Sequence, residues 1–501
     1  MTPTILPSSS TRLLPDEASP PHIIPLSILD CSVGNFSPTG AAWVYDGALS
    51  HDHLKVSLVK TLNAYPQWAG QLRYTKYDPN GGHTLRSRRL EISYGTQADP
   101  GVEFVVASCE AGVSELFPGL EQRLEGSGAL DVSSLEALEL LPKTPTLASN
   151  SKDADFTGLP CLVVQVTTFH RGGTAVALKV SHPLADAQTL LTFVNDWAAV
   201  SRALLHNLPL PAMTPVFSPS AFDQAASGDI DASSPDPQLL QIAHELPIHR
   251  YDWWATTDGL DIKQFPPHLA SPSIQPGPSL PWHEWDLTLP IRNYLLYFSA
   301  DEISRIWAAA SSEPTLTEHR ISRFDALQAH VWMALMRAHP EVADGEEFYM
   351  NLSLGMRERV SPPLGVLARA CGTAQSTLAT LAREIRGVLT KFTPQRVGAV
   401  LHEMAFDIDA RRMWGAFLGR RNVIVTSWAR IGVYELDFGC GRPRFVQPVM
   451  PVMEGIVQVM EAGPSSGGKG PWYRDGASVS VMLPVEVVQR MLEDSLLRKY
   501  Q

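Results

Sequence analysis

Long apolar runs are missing from this sequence. None of its 501 residues belongs to an uninterrupted apolar stretch of about 18 residues, the length that a membrane-spanning helix needs. The N-terminal segment MTPTILPSSSTRLLPDEASPP lacks the basic and apolar parts of a secretory signal, and the final RKYQ is not a peroxisomal signal. We therefore expect a cytoplasmic protein without a membrane span.

Cysteine is also scarce. The chain has five cysteines, Cys31, Cys109, Cys161, Cys371 and Cys440, and none of them forms a C-x-x-C pair. An odd number of scattered cysteines fits free thiols in a reducing compartment better than a disulfide framework or a zinc site. No G-x-G-x-x-G follows a strand pattern, so a dinucleotide site is not indicated. We expect no metal ion and no permanently bound cofactor.

Positive charge is in deficit. The 52 Asp and Glu residues outnumber the 40 Lys and Arg residues, which gives a formal net charge of −12 at pH 7. This balance argues against a nucleic-acid partner, because such surfaces need clustered basic residues. An anionic small molecule can still bind where a few basic side chains gather locally.

The chain divides at a stretch rich in proline and serine that runs from about Leu208 to Leu280. This stretch has no regular apolar period and is typical of a crossover or surface linker. It separates an N-terminal lobe (1–207) from a C-terminal lobe (286–501), with a crossover linker at 208–285. Both lobes alternate strand and helix patterns without strict βαβ order. The sequence therefore predicts an α/β (or α+β) fold of two lobes, each a mixed β-sheet with helices.

The stretch SHPLADAQTL places His182 four residues before Asp186. With 15 histidines in the chain, chance alone gives about 0.8 such spacings, so the spacing itself carries little information. Its surroundings are more informative, because the β-rich TAVALKVS precedes it and Pro183 favours the first position of a helix. Apolar residues then follow at helical spacing: Leu190, Leu191, Val194, Trp197 and Ala198.

These patterns predict that His182 lies at the N-cap of a helix, with Asp186 inside its first turn and a half. The positive end of the helix dipole disfavours a charged imidazolium there, which keeps the histidine able to accept a proton. A neutral histidine at a strand-to-helix junction suits general-base catalysis. A histidine that only caps a helix is the alternative interpretation.

Further segments resemble the BAHD acyltransferases, CoA-dependent enzymes, and in particular their fungal branch, the trichothecene 3-O-acetyltransferase-like enzymes. The similar segments occur in the order of the family: PLSILD (Pro25–Asp30) as an opening strand, LKVSLVKTLNAYPQWAGQLR, the stretch that ends in H-x-x-x-D, RFDALQAHVWMALMRA, GMRERVSPPLG (Gly355–Gly365) and TSWARIGVYELDFGCGRP. Each segment alone is a weak match, but their common order is specific.

The resemblance implies two chloramphenicol-acetyltransferase-like lobes with an active-site tunnel between them. It implies an O-acyltransferase that uses acyl-CoA as co-substrate and acts on a hydroxyl of a small apolar secondary metabolite, without a covalent acyl-enzyme. We also expect a monomer. The alternatives are an N-acyltransferase, a condensation-like enzyme that takes acyl groups from a carrier protein, and a non-catalytic ligand-binding relative.

The resemblance also assigns roles to residues. His182 is implied as the catalytic base, with Asp186 shaping its turn through an ion pair with Arg357, or with Arg359 as the second choice. Trp428 and Thr426 match positions that hydrogen-bond near the reacting carbonyl. Asp437, Gly439 and Gly441 belong to the structural DFGWG-like motif. Candidates for a basic rim that binds CoA are Arg420, Arg421, Lys469, Arg442 and Arg444.

Three positions depart from the pattern of the family. Ser181 stands where many relatives have a second histidine, and Ala187 replaces a frequent glycine. Both changes argue against the condensation-like alternative. Cys440 replaces the tryptophan of DFGWG, which affects the expected packing around this motif and leaves the base in place.

Overall fold

A computed structural model describes most of the chain. The described residues are 4–34, 37–87, 89–124, 128–136, 139–146, 156–251, 277–312, 320–340, 342, 345–355, 365–410, 417–463 and 470–501. Within them, no helix is both long enough and apolar enough to cross a membrane.

The described residues form sixteen strands. In chain order they are β1 (Ile5–Leu13), β2 (His22–Pro25), β3 (Thr39–Tyr45), β4 (Gln71–Tyr74), β5 (Leu90–Tyr94), β6 (Val102–Cys109), β7 (Ala129–Asp131), β8 (Leu162–Phe169), β9 (Thr174–Val180), β10 (Ile291–Phe298), β11 (Phe348–Gly355), β12 (Gly365–Gly372), β13 (Asn422–Ser427), β14 (Phe445–Pro448), β15 (Ile456–Glu461) and β16 (Ala477–Pro484).

Fourteen α-helices accompany these strands in the described part. They are α1 (Ile28–Ser32), α2 (His51–Leu62), α3 (His83–Arg86), α4 (Val113–Leu116), α5 (Leu120–Leu124), α6 (Ser133–Glu136), α7 (Ala187–Leu205), α8 (Ser220–Gln224), α9 (Pro237–His244), α10 (Ala300–Ser311), α11 (Arg323–Arg337), α12 (Leu378–Thr390), α13 (Pro394–Ala405) and α14 (Val485–Glu493). Short 3₁₀ helices lie at Pro66–Ala69, His182–Leu184 and Trp282–Glu284.

Two large mixed sheets define two lobes, as the sequence predicts. The N-terminal sheet has the order β1-β6-β8-β9-β3-β14, and the C-terminal sheet has the order β12-β11-β13-β15-β16-β10-β7. A small third sheet has the order β2-β5-β4. Each large sheet takes an edge strand from the other half of the chain, because β14 pairs with β3 and β7 pairs with β10. The lobes are therefore joined by strand exchange as well as by the crossover.

The core of the N-terminal lobe forms where α7 packs on the sheet. All five residues of the apolar pattern after Pro183 are buried on this helix, which explains why it forms here. Trp197 and Trp43 are fully buried, and the rings of Trp68 and Phe193 stack 4.2 Å apart. The C-terminal lobe has its own core, in which α10, α11 and α12 pack together against the sheet.

The segment Pro25–Asp30 differs from its prediction as an opening strand. β2 already ends at Pro25, and Ile28 begins the short helix α1. The side chains of Ser27 and Asp30 form a capping box, in which Ser27 accepts from the backbone of Asp30 and Asp30 accepts from the backbone of Ser27. This reciprocal capping satisfies two backbone N–H groups and favours a helix over a continued strand.

The described part of the crossover packs against the C-terminal lobe, which a surface linker does not do. Its helix α9 packs on α13, and Phe222, Ala243 and Leu246 are buried in the core of the C-terminal lobe. An ion pair of 2.6 Å joins Asp223 to Arg89, whose side chain is fully buried. These apolar residues are too widely spaced to give a periodic signal in the sequence. Residues 252–276 of the crossover lie outside the described part.

Candidate active site

A cavity of about 710 Å³ lies between the two lobes. His182 and Asp186 line it from the N-terminal lobe, and Thr426 and Trp428 line it from the end of β13. Two segments about 250 residues apart in the sequence thus meet at one cavity. The four residues singled out in the sequence as catalytic candidates are brought together by the fold.

The turn that carries His182 departs in detail from the predicted N-cap. His182 is the first residue of the 3₁₀ helix that ends at Leu184, and Ala185 is extended. Asp186, and not His182, is the N-cap of α7. Pro183 does lie in a helical turn, as its second residue, but the extended Ala185 ends this turn before the long helix begins. His182 therefore lies one short turn before α7.

Several hydrogen bonds fix this turn. The carboxylate of Asp186 accepts a hydrogen bond of 2.9 Å from the backbone N–H of Thr189. The hydroxyl of Thr39, at the start of β3, donates to the carbonyl of Ala185 at 2.7 Å. The backbone N–H of Ser181 donates to Cys161 at 2.8 Å. The segment on either side of His182 is thus tied to β3, to the end of the loop before β8 and to α7.

The electrostatic setting of His182 favours the neutral imidazole. Burial lowers the pKa of His182 below its ordinary value, while a backbone hydrogen bond and the charge of Asp186 act in the opposite direction. Desolvation prevails because an imidazolium loses its hydration when it is buried. A histidine that is neutral near pH 7 can accept a proton from a substrate.

Trp428 reaches the cavity because the chain after β13 enters the N-terminal lobe. The indole N–H of Trp43 donates to the carbonyl of Val433 at 3.0 Å, and the hydroxyl of Tyr45 donates to that of Leu436 at 3.3 Å. The backbone N–H of Trp428 donates to Val459 at 2.8 Å. The Trp428 residue is only 4% exposed. It lines the cavity, and its indole N–H donates to no described residue.

The Asp437–Gly441 loop lies against the C-terminal end of α7. One carboxylate oxygen of Asp437 accepts from the backbone N–H groups of Gly439 (2.7 Å) and Gly441 (2.9 Å). Ser201 and Arg202 of α7 donate to the carbonyls of Phe438 and Asp437. None of the loop residues lines the described cavity wall. The loop thus holds the chain after Trp428 onto the helix that Asp186 begins.

The predicted basic rim does not gather at the described part of the cavity. Arg420, Arg421, Arg442 and Arg444 are not among its described lining residues. Arg421 is paired with Glu284, Arg442 with Glu435 at 2.7 Å, and Arg444 with Asp46 at 3.0 Å. Arg357, Arg359 and Lys469 lie outside the described residues.

The sequence interpretation missed part of the cavity wall. Leu29 and Ser32 of α1 line it together with Val33, which follows this helix, and so do Arg386 of α12 and Asp325 of α11. The only local signal was the Ser-x-x-Asp spacing at Ser322 and Asp325, which indicates a helix start and gives no hint of a cavity. Among the described residues there is also no cluster of three or more side chains that suits a metal ion.

Similarity to known proteins identifies the chain as an acyl-transferring enzyme. The sequence profile described as "Transferase family" matches residues 5–495. The chain therefore belongs to this family, the BAHD acyltransferases.

Individual relatives agree with this assignment. The chain is 25% identical over 470 residues to "Acyltransferase AFT15-1" of Alternaria alternata, covering 89% of this chain and 86% of the relative. It is 26% identical over 476 residues to "Acyltransferase abl6" of Leptosphaeria maculans, covering 90% of this chain and 89% of the relative. The crystal structure of F. graminearum TRI101 complexed with coenzyme A and deoxynivalenol is similar in fold, with a TM-score of 0.64, 17% identity and coverage of 96% and 99%.

Proposed function

We propose that this enzyme transfers an acyl group from acyl-CoA to a hydroxyl of a small apolar secondary metabolite, with His182 as the general base. The observation that carries this proposal is the pairing of His182 with Trp428 in one interlobe cavity. His182 offers a proton acceptor that burial keeps neutral. Trp428 offers an indole N–H donor that no described residue uses.

The base works in two directions in this mechanism. The imidazole of His182 takes the proton from the acceptor hydroxyl as its oxygen attacks the thioester carbonyl carbon. The tetrahedral intermediate then collapses, the carbon–sulfur bond breaks, and the imidazolium returns the proton to the departing thiolate. The products are an ester and free CoA. General acid–base catalysis of this kind contributes about 10²–10⁴-fold to a rate.

The developing oxyanion needs a donor that is fixed in advance. The indole N–H of Trp428 is held by a ring that packs in the N-terminal core and by the backbone bond to Val459. The hydroxyl of Thr426, which also lines the cavity, is the second donor in this proposal. Donors that need no reorganisation stabilise the charge most effectively.

Asp186 has a positioning role in this proposal. Its carboxylate caps α7 and so fixes the start of the helix that follows the His182 turn. We retain Arg357 as its proposed ion-pair partner. Acyl-CoA is the proposed co-substrate, which the coenzyme A complex of the TRI101 relative supports. We further propose a monomeric, cytoplasmic enzyme.

The experiment that tests this proposal is a thiol-release assay with a panel of acyl-CoA donors and a panel of hydroxylated metabolites. Each alcohol is paired with its amine analogue, and an acyl carrier protein replaces acyl-CoA in a parallel arm. We expect turnover with acyl-CoA and an alcohol. A preference for the amine supports the N-acyltransferase alternative, and dependence on the carrier protein supports the condensation-like one. Binding of the donor without turnover on any acceptor supports the non-catalytic alternative.

A second measurement tests the absence of a covalent intermediate. The enzyme is incubated with acyl-CoA alone, and the intact protein is weighed by mass spectrometry. We expect no added acyl mass on the chain. A stable acyl adduct that an acceptor then discharges would contradict direct transfer.

A further inference from the structure

An ion pair lies in the wall of the interlobe cavity, outside the residues used so far. Arg386 of α12 donates from Nε and Nη2 to a single carboxylate oxygen of Asp325 on α11, at 2.9 Å and 2.6 Å. The same oxygen of Asp325 accepts from the backbone N–H of Ser322, which is the N-cap of α11. Asp325 is therefore fixed by its own helix before it contacts the arginine.

Both residues line the cavity, but the arginine is much the more exposed half of this pair. The Asp325 side chain is 1% exposed, whereas the Arg386 side chain is 27% exposed and lines the cavity. Nη1 of Arg386 donates to no described residue and is not buried. The carboxylate thus lies behind the guanidinium and holds it with one N–H edge directed away from the pair.

The cavity wall that contains Arg386 is partly apolar. The helices and the crossover contribute Phe324, Leu389, Val400, Met404 and Ile248 to the same cavity wall. A hydrogen bond made in such surroundings is worth more than one made in water, and a ligand oxygen placed there needs a donor. The guanidinium is suited to this task because its geometry is fixed and its charge does not titrate.

We propose that Arg386 binds an amide carbonyl of the pantetheine arm of acyl-CoA. This inference rests on the proposed function. The charge of Arg386 is offset by Asp325 at hydrogen-bond distance, so the pair as a whole is neutral and suits a neutral oxygen better than a phosphate. The pantetheine arm carries two amide carbonyls and has to enter the cavity to bring the thioester to His182.

The test measures CoA binding to the full chain by calorimetry at low and at high salt. We expect Arg386→Met to bind CoA about tenfold more weakly than the wild type does, because a hydrogen bond from a charged group is lost. The ratio to the wild-type dissociation constant should stay the same at both salt concentrations, because a neutral carbonyl is not screened. A ratio that shrinks as salt rises identifies a phosphate contact and overturns the proposal.

Arg337→Met is the matched control. Arg337 donates from Nε to Asp494 at 2.7 Å, its side chain is 26% exposed, and it does not line the described cavity wall. We expect this variant to bind CoA as the wild type does. If Arg386→Met also binds CoA as the wild type does, the Arg386 pair only supports the fold and the proposal fails.

A further pair of variants covers the case in which Arg386→Met does not fold, because it leaves Asp325 buried without its cation. Asp325→Asn is compared with the double variant Asp325→Asn/Arg386→Met. The proposal is supported if the double variant binds CoA about tenfold more weakly than Asp325→Asn does. Equal CoA affinities of these two variants overturn it. If the wild type does not bind CoA, the proposed function itself is wrong. This outcome is read from the wild type alone, so it is distinct from a failure of the Arg386 proposal.

Discussion

The carboxylate of Asp186, the second polar residue of the H-x-x-x-D motif, accepts a hydrogen bond of 2.9 Å from the backbone N–H of Thr189 and so caps α7, which begins at Ala187. His182 lies in the separate short turn before it. The two residues therefore have different tasks: one starts a helix, and the other faces the cavity from a turn that this helix anchors.

Replacing Asp186 should affect stability through the cap. Asp186→Ala removes the acceptor for Thr189 and should lower the free energy of unfolding by about 1 kcal/mol, whereas Asp186→Asn keeps a good N-cap and should lose less. Both variants should lose activity, because the turn that carries His182 is displaced or its charge environment changes. Urea denaturation and thiol release measure the two effects.

Asp236→Ala provides the control for this prediction. Asp236 caps α9 through a hydrogen bond of 2.8 Å from Gln238 and does not line the described cavity wall. It should lose stability as Asp186→Ala does and keep its activity. If Asp186→Ala unfolds at the same urea concentration as the wild type, the capping role is wrong.

The pH dependence of activity should follow the protonation of His182. Because burial lowers its pKa below the ordinary 6.5, the base stays neutral down to a pH below that value. The acid limb of kcat/KM should therefore fall below pH 6.5. Asp186→Asn should move this limb further down, since the charge of Asp186 raises the pKa of His182. A limb above 6.5, or an upward shift in the variant, would contradict this assignment.

The same pKa has a consequence for stability. The unfolded chain carries a histidine with an ordinary pKa, so it takes up a proton at a higher pH than the folded chain does. The contribution of His182 to stability is thus present above pH 6.5 and is lost as the pH falls from there toward the lowered pKa. His182→Gln should make the free energy of unfolding less dependent on pH in this range.

The indole N–H of Trp428 should matter for turnover more than for binding. Trp428→Phe keeps a ring in the core and removes the donor, so kcat should fall by about 10²-fold with little change in KM. Trp307→Phe is the control, because the Trp307 indole donates to Ile321 at 3.1 Å away from the described cavity wall. A wild-type kcat in Trp428→Phe would contradict the proposed role of Trp428 in stabilising the oxyanion.

Alanine substitutions at Gly439 and at Gly441 should lower the Tm to different extents, although both residues belong to one motif. Both have a positive φ, +114° and +96°, so alanine at either position is strained by about 1–3 kcal/mol. A Cβ at Gly439 would also lie 2.3 Å from Cδ1 of Leu205, whereas one at Gly441 meets nothing within 4 Å. Gly439→Ala should therefore have the lower Tm. Equal Tm values would show that the contact with α7 does not matter.

Much of the fold was predictable where the signal is local. The helix after Pro183 and the strands around it follow from apolar spacing, and the predicted two-lobe mixed fold is confirmed. The start of α7 was not predictable in detail, since it depends on the extended Ala185 and its contact with Thr39. The spacing alone could not show that the turn breaks there.

The cavity wall was less predictable than the fold. Arg386 and Asp325 belong to helices whose sequences indicate only helix formation, and their meeting depends on how α11 packs on α12. The buried crossover residues gave no periodic signal either. Only the resemblance of ordered segments identified Trp428, because its place in the cavity wall depends on how the chain after β13 packs into the N-terminal lobe.

The central claim is that His182 is the base for acyl transfer. The most direct measurement compares CoA release by His182→Ala with that of the wild type, once an acceptor is found, with circular dichroism to confirm the fold. His170→Ala is the control, because the His170 side chain is 55% exposed. We predict that His182→Ala retains its fold and loses turnover while the control keeps it. Turnover near that of the wild type in folded His182→Ala would contradict the mechanism.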